Sequence, residues 1–257
     1  MLASPIAIPA FTDNYIWAIC HQNQCVVVDP GDAAPVEGFL EEKGLNLAAI
    51  LVTHHHPDHV AGIAALTRNR EIPVYGPANE TIPCMTQPLK DNQIIKLDSL
   101  GITLKVMDVP GHTLGHIAYH DAENGWLFCG DTLFAGGCGR LFEGTPSQMH
   151  TSLHRLAELP AQTLVYCTHE YTIANLEFAI AVTPHDQRVQ ARLAAVKSAR
   201  KNGQITLPTT VAEECRTNPF LRTADTDIQN ACEAREPGAS GSNVQCFASL
   251  RRWKDNF

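Results

Sequence analysis

Four imidazoles and one carboxylate fall within seven residues, Thr53-His54-His55-His56-Pro57-Asp58-His59, directly after the apolar run Ala49-Ile50-Leu51-Val52. An apolar run ending in such a cluster reads as a strand that delivers ligands to a loop. Alternate strand side chains share a face, so His54 and His56 can converge, while Asp58 and His59 serve a neighbouring position once the chain has turned. Imidazole nitrogen combined with carboxylate oxygen suits zinc, iron or manganese. The plain alternative is a solvated histidine tract, but tags sit at termini and carry no embedded carboxylate.

Three more polar groups stand where apolar runs end. His112 follows Val109-Pro110-Gly111, Asp131 follows residues 126–129 and Gly130, and His169 follows residues 164–168. Rigid strand ends are good places to hold ligands. Taken singly, each has an ordinary reading as a turn aspartate, a capping histidine or a satisfied histidine at a strand edge. Together with His54, His56, Asp58 and His59 they make seven ligands, enough for two metal ions. Asp29, in Val28-Asp29-Pro30-Gly31, reads equally well as a carboxylate that orients a ligand histidine or as a turn aspartate before proline. His116 and His120 are spaced as on a helix, but Gly115 and Ile117 argue for a strand, which leaves both outside the ligand set. His21, His150, His154 and His185 have no ligand-like context in the sequence.

The elements that must position these groups follow from the apolar periodicity. Short β-branched runs at 15–20, 25–28, 49–52, 102–106, 126–129 and 164–167 predict strands. A helix is expected over 35–43, with Val36, Phe39 and Leu40 as its apolar stripe and Gly44 as its stop. Another starts at Thr145-Pro146, a hydroxyl cap followed by proline, with Met149, Leu153 and Leu156 at core spacing. After about residue 170 the strand signal fades. Residues 187–201 carry Val189, Leu193 and Val196 on one face, and Thr210 with Glu213 has capping-box spacing for a further helix. The pattern predicts sheets with helices outside over residues 1–169, followed by a helical part over 170–257.

Composition narrows the classes of function. The 257 residues hold 19 lysines and arginines against 27 acids, a net charge of −8, which disfavours a general nucleic-acid surface. No segment is apolar for long enough to suggest a membrane span, and the N-terminal run is broken by Pro5, Pro9 and Asp13 without a basic start, so no secretory leader is expected. Nine cysteines without a Cys-x-x-Cys spacing read as reduced thiols of a cytoplasmic protein, Cys138 among them in a structural role. In this acidic chain, three cations cluster in the ending Arg251-Arg252-Trp253-Lys254-Asp255-Asn256-Phe257, beside two aromatic side chains that can anchor it.

Thr53 to His59 resembles the Thr-His-x-His-x-Asp-His signature of the metallo-β-lactamase superfamily, with His112, Asp131 and His169 in the expected order. The resemblance implies an αββα sandwich. It assigns one ion to His54, His56 and His112, a second to Asp58, His59 and His169, and makes Asp131 the bridge, while His55 and Pro57 occupy the variable positions. Two divalent ions sharing Asp131 would share a water and lower its pKa toward neutrality, so a bound hydroxide would attack with no serine or cysteine nucleophile. Asp131 then positions the hydroxide. Asp58 belongs to the same centre but is a poor general base, because coordination occupies its lone pairs.

The likeness narrows further in Gly130-Asp131-Thr132-Leu133-Phe134, in the run from Gly136 to Thr145, in Thr168-His169-Glu170-Tyr171-Thr172 and in Asn218-Pro219-Phe220-Leu221-Arg222. These resemble the glyoxalase II family of hydroxyacylglutathione hydrolases, over essentially the whole chain. That family implies hydrolysis of S-D-lactoylglutathione and related 2-hydroxyacyl thioesters to glutathione and the hydroxy acid, the second step of methylglyoxal detoxification. It implies two divalent ions, zinc first with iron or manganese as alternatives, and a monomer in the cytoplasm that takes a small glutathione thioester, with no nucleic-acid or membrane partner. Arg140, Phe142, Tyr171, Arg251 and Lys254 would contact the glutathione part. Some family members carry lysine and tyrosine where this chain has Arg140 and Phe142, so one tyrosine hydrogen bond is lost, worth about 1 kcal/mol. Arg222 reads as a structural ion-pair partner. An iron-dependent glutathione persulfide dioxygenase, a lactonase or a metal-stabilised ligand binder are the competing readings of the shared signature.

Overall fold

Pairing ends of strands decide where this chain can place a ligand, so the sheets come first. The computed structural model describes residues 2–257. Two units emerge, one of residues 2–108 with 115–130 and one of residues 109–114 with 131–257. Their limits differ from the point near residue 170 where the sequence changes from strand-rich to helical.

In the first unit, β1 (Ile6–Ala10), β2 (Asn14–His21) and β3 (Gln24–Val28) form an antiparallel meander. Helix α1 (Ala33–Lys43) carries the chain to β4 (Asn46–Leu51), which pairs parallel with β3. The short helices α2 (Pro57–Val60) and α3 (Ile63–Thr67) lead to β5 (Val74–Pro77) and then β6 (Gln87–Leu89), both added in parallel. The sheet order is β1-β2-β3-β4-β5-β6. Its core holds Val27, Ile50 and Val52 against Val36, Leu40, Ile63 and Leu66 of the helices. Helix α1 begins two residues earlier than its periodicity suggests because Asp32 caps it, accepting from the Ala34 amide at 3.0 Å, and it stops at Gly44 in the left-handed conformation. A second, antiparallel run of strands comprises β7 (Ile94–Leu97), β8 (Ile102–Asp108), β9 (Ile117–Asp121) and β10 (Trp126–Gly130), each paired with the next. Strand β9 holds His120 as the argument from Ile117 requires, and His116 lies immediately before it.

The second unit opens with the two-stranded ribbon β11 (Leu133–Phe134) and β12 (Gly137–Cys138). Helix α4 (Pro146–Ala157) starts in a complete capping box between Thr145 and Gln148 and buries Met149, Leu153 and Leu156 fully. Strand β13 (Leu164–Cys167) is followed by α5 (Thr172–Val182) and α6 (Gln187–Lys201). The short strand β14 (Thr209–Thr210) pairs with β13 and leads into α7 (Val211–Thr217), whose cap Thr210 accepts from the Glu213 amide. Helices α8 (Thr226–Arg235) and α9 (Asn243–Asp255) complete the unit. The basic ending is therefore mostly the last turns of α9, with the Trp253 and Phe257 rings set edge-on to Phe178 at 5.6 and 5.5 Å. Arg222 is held between Asp186 at 3.0 Å and Asp225 at 2.8 Å, the ion-pair role expected of it. Among the described residues no helix is long and apolar enough to cross a membrane.

One buried carboxylate ties several of these pieces together. Glu214, fully buried on α7, accepts from the Gly136 amide at 2.7 Å, Asn218 Nδ2 at 3.0 Å, Thr209 Oγ1 at 2.7 Å and the Arg192 guanidinium at 2.5 Å. Removing it leaves a mostly buried arginine without its principal counter-ion. Glu214→Ala is expected to cost about 3–5 kcal/mol in urea unfolding, and a loss below about 1 kcal/mol would show that water or Glu213 takes over the pairing.

Candidate metal centre and binding cavity

The parallel register of β3 and β4 sets Val28 beside Leu51, so the residues that follow both strands meet at one end of the sheet. There Asp29, buried and in a left-handed conformation at φ 53°, accepts from the Thr53 amide and from Thr53 Oγ1, both at 2.7 Å. Its Oδ2 also lies 3.1 Å from His59 Nδ1. Of the two readings open for Asp29, the carboxylate that orients a histidine is the one the structure holds. Nδ1 of His59 thus faces Asp29, while Nε2 faces Asp58 and is the atom placed for a cation, as around ligated imidazoles. His54 Nε2 stands 3.1 Å from His56 Nδ1, the His54 and His59 rings are 4.0 Å apart, and His59 Nε2 is 3.5 Å from Asp58 Oδ2. The predicted four, His54, His56, Asp58 and His59, are thus gathered within one unit. Gly31 is required by the close approach of this turn, since a Cβ there would stand 1.8 Å from the Asp58 carbonyl oxygen.

His55 turns to a different partner: its Nδ1 lies 3.0 Å from Glu80, whose other oxygen accepts from the Gly115 amide at 3.1 Å. His116, left out of the ligand set, is fully buried and stacks on His54 at 4.5 Å. Asn14 donates to Asp58 Oδ2 at 3.0 Å. Asn14 and Glu80 were invisible to sequence reasoning, since a lone amide at a strand start and a lone acid in a loop carry no spacing signal.

In the second unit His112, Asp131 and His169 come together without help from sequence proximity. His112 Nε2 and His169 Nε2 each lie 3.4 Å from the same Asp131 Oδ2. His112 Nδ1 is 2.8 Å from the Arg140 carbonyl oxygen, which makes Nδ1 the protonated nitrogen and turns the Nε2 lone pair toward Asp131. Gly139 is needed here, because a Cβ would sit 1.9 Å from the Asp131 carbonyl oxygen. The donors in both units are imidazole nitrogens and carboxylate oxygens with several rings already fixed through their second nitrogen, and this set fits divalent zinc, iron or manganese.

Beside His112 and Asp131, and within the same unit, lies a cavity of about 370 Å³. Arg140, Phe142, Tyr171, Arg251 and Lys254 all line it, joined by Phe134, Cys138, Ala174 and Asn175. Tyr171 stacks parallel on His169 at 4.7 Å, and Phe142 meets His112 edge-on at 5.3 Å. Arg251, almost fully buried, donates to the Cys138 carbonyl oxygen at 2.9 Å and pairs with Asp255 at 2.9 Å. Lys254 donates to the Ala174 carbonyl oxygen at 2.9 Å, and burial, then the Arg251 charge, lowers its pKa from the ordinary lysine value. Burial pushes the Cys138 thiol up to about 11 against the pull of Arg251, so at neutral pH it is a protonated wall and no nucleophile. Phe134, Asn175 and Asp255 are the participants that sequence reasoning did not single out.

Comparison with known proteins agrees with this geometry. Residues 10–169 match the model of the metallo-β-lactamase superfamily, and residues 170–257 match that of the hydroxyacylglutathione hydrolase C-terminus. The chain is 54% identical over 254 residues to the hydroxyacylglutathione hydrolase of Ectopseudomonas mendocina and 51% identical over 255 residues to that of Pseudomonas aeruginosa strain PAO1, with 98% of each chain covered in both cases. Among solved structures, TTHA1623 in a di-iron-bound form is similar with a TM-score of 0.60 at 27% identity, over 85% of this chain and all of that one. ETHE1 from Myxococcus xanthus shares the fold with a TM-score of 0.66 at 24% identity, over 98% of this chain and 91% of that one. The expected α+β class, a metallo-β-lactamase αββα sandwich followed by a helical C-terminal part, is the fold.

If Asp29 orients His59 for a metal, its loss should loosen the ion without touching any ligand atom. Asp29→Ala is expected to weaken divalent-metal retention by about 10–100-fold, measured by chelator competition with metal analysis. Retention equal to wild type would show that His59 is held by its other neighbours.

Proposed function

The chain belongs to the metallo-β-lactamase superfamily and within it to the hydroxyacylglutathione hydrolases, and on that premise we propose that it hydrolyses S-D-lactoylglutathione and related S-(2-hydroxyacyl)glutathione thioesters to glutathione and the free hydroxy acid. This is the second step of methylglyoxal detoxification. The observation that carries the reading is the cavity, where Arg140, Arg251 and Lys254 bring positive charge and Phe134, Phe142 and Tyr171 bring apolar walls beside His112 and Asp131. Glutathione has two carboxylates, and charge-assisted pairing with guanidinium and ammonium groups is the strong way to hold them in water.

In this reading His54, His56 and His112 would hold one divalent ion and Asp58, His59 and His169 a second, with Asp131 serving both. When bound, the ions would supply Lewis acidity for the carbonyl and lower the pKa of a coordinated water. Zinc is the ion we favour from the nitrogen-rich donor set, with iron and manganese as alternatives. The protein's part is positional. Asp29 braces the His59 ring from its Nδ1 side, the Arg140 carbonyl keeps the proton of His112 on Nδ1, and the cationic end of α9 orients the glutathionyl group. The leaving thiolate needs no general acid because thiols are far more acidic than alcohols, which fits a cavity whose one thiol, Cys138, stays protonated. We read residues 1–169 as the catalytic domain and 170–257 as the helical domain contributing the glutathione contacts, and the working protein as a single chain in the cytoplasm. Persulfide dioxygenase and lactonase readings are not favoured, because the C-terminal 88 residues match the hydroxyacylglutathione hydrolase model.

The test is steady-state turnover of S-D-lactoylglutathione by the purified, metal-loaded protein, with metal content measured on the same sample. His56→Ala and Asp131→Ala should abolish turnover and lower metal content. Lys254→Ala should raise KM by about tenfold or more with kcat little changed, as for loss of one hydrogen bond to a charged group. Absence of thioester hydrolysis by a folded, metal-replete protein would overturn the assignment.

A further inference from the structure

His150 and His154 stand four residues apart on α4, on a face adjoining the one anchored by the buried Met149, Leu153 and Leu156. Nothing in the sequence marks them as ligands, yet the fold points their Nε2 atoms at each other at 3.1 Å. The Thr223 hydroxyl oxygen flanks the same His150 nitrogen at 3.2 Å. The His150 ring is steadied by an edge-on contact with Phe247 of α9 at 5.9 Å, and it is half-buried, while His154 is exposed to solvent.

From this geometry we infer that His150 and His154 form a surface chelate for a late first-row divalent ion such as Cu²⁺, Ni²⁺ or Zn²⁺, separate from the candidate metal centre. The bite decides it. With metal–nitrogen bonds of about 2.05 Å, two nitrogens 3.1 Å apart subtend about 98° at the ion. That angle lies between the cis angle of a square-planar ion and the tetrahedral angle, so the two rings reach one ion with little rearrangement. In the metal-free protein one ring donates an Nε2 proton to the other. On binding, that proton shifts to Nδ1 of the same ring, both Nε2 lone pairs face the ion, and no proton is released. The Thr223 oxygen offers a third, weaker donor and water completes the coordination. Affinity should follow Cu²⁺ above Ni²⁺ and Zn²⁺. Neither histidine nor Thr223 lines the cavity beside Asp131, so occupation of this chelate is independent of turnover.

The experiment uses the purified protein with its resident ions in place, titrated with Cu²⁺ and with Ni²⁺ by calorimetry, beside His154→Gln and His150→Gln. Wild type should take up one additional ion per chain while its resident metal content and thioesterase activity stay unchanged. Each variant should bind that ion at least about a hundredfold more weakly, because the chelate effect of the second imidazole is gone. Bound Cu²⁺ should give an electron paramagnetic resonance spectrum with hyperfine coupling to two imidazole nitrogens. Equal uptake by wild type and both variants, uptake only by displacement of resident ions, or coupling to one nitrogen alone would each overturn the proposal. A protein without thioesterase activity that still shows the additional two-nitrogen site would sink the functional reading above and leave this one standing.

Discussion

The carboxylate of Asp29 is the constraint on which the first unit's chemistry rests. It sits where β3 ends, in a backbone conformation that side chains with short polar groups tolerate best, and it is buried. A buried carboxylate must be satisfied, and three groups converge on it: the Thr53 amide and the Thr53 hydroxyl donate to it, and His59 Nδ1 lies 3.1 Å away. Two of them lie at the start of the histidine cluster and one at its end. A single group therefore meets both the departure of the chain from β4 and the ring of the last histidine. The cluster's four donor side chains lie close together, with His54 Nε2 3.1 Å from His56 Nδ1 and His59 Nε2 3.5 Å from Asp58 Oδ2.

The second unit solves the same problem with a different acid. Glu214 reaches the Gly136 amide and Asn218, and Asn218 in turn donates to the Gly137 carbonyl oxygen at 2.8 Å. These contacts fix the ribbon of β11 and β12, from which Asp131, Cys138 and the Arg140 carbonyl take their places. Helix α7 matters to the candidate site through this loop. In both units the donor residues are rigid because a buried acid, itself no donor to the site, binds the backbone that carries them.

Much of this was legible in the sequence because it is written in periodicity and spacing. The strands before Asp131 and His169, the caps at Thr145 and Thr210, and the seven candidate donors all follow from local patterns. What stayed hidden has a common physical cause. Asn14 and Glu80 act across 44 and 25 residues of sequence on Asp58 and His55, and no local pattern encodes such a contact. Helix α5 was missed because it is apolar nearly all round, which leaves no stripe to detect. The ending around Arg251 was legible as a cluster of cations anchored by aromatic rings, but not as a helix, because its charged residues leave no apolar stripe. As the last turns of α9, they point Arg251 into the cavity and let Trp253 face Phe178.

Asp255, on the same helical end, sharpens what the basic cavity can do. It pairs with Arg251 at 2.9 Å and with Arg140 at 3.3 Å, so two of the three cations already share one counter-ion. A carboxylate entering the cavity gains less from these arginines than isolated charges would offer, since it competes with Asp255 for the same donors. Lys254 has no carboxylate partner in the cavity lining: it meets a carbonyl oxygen and the Phe178 and Phe257 rings, with the Glu177 charge acting on it from outside the lining. Burial and the Arg251 charge already disfavour its ammonium form, so an anion placed beside it would favour that form. In an acidic chain of net charge −8, Lys254 is thus the cavity cation least engaged by acids, while the arginines are organised by Asp255. Phe142, lacking the hydroxyl that tyrosine would bring, adds an apolar edge against His112 but no hydrogen bond, so the cavity's cations stand only at Arg140 and at the end of α9.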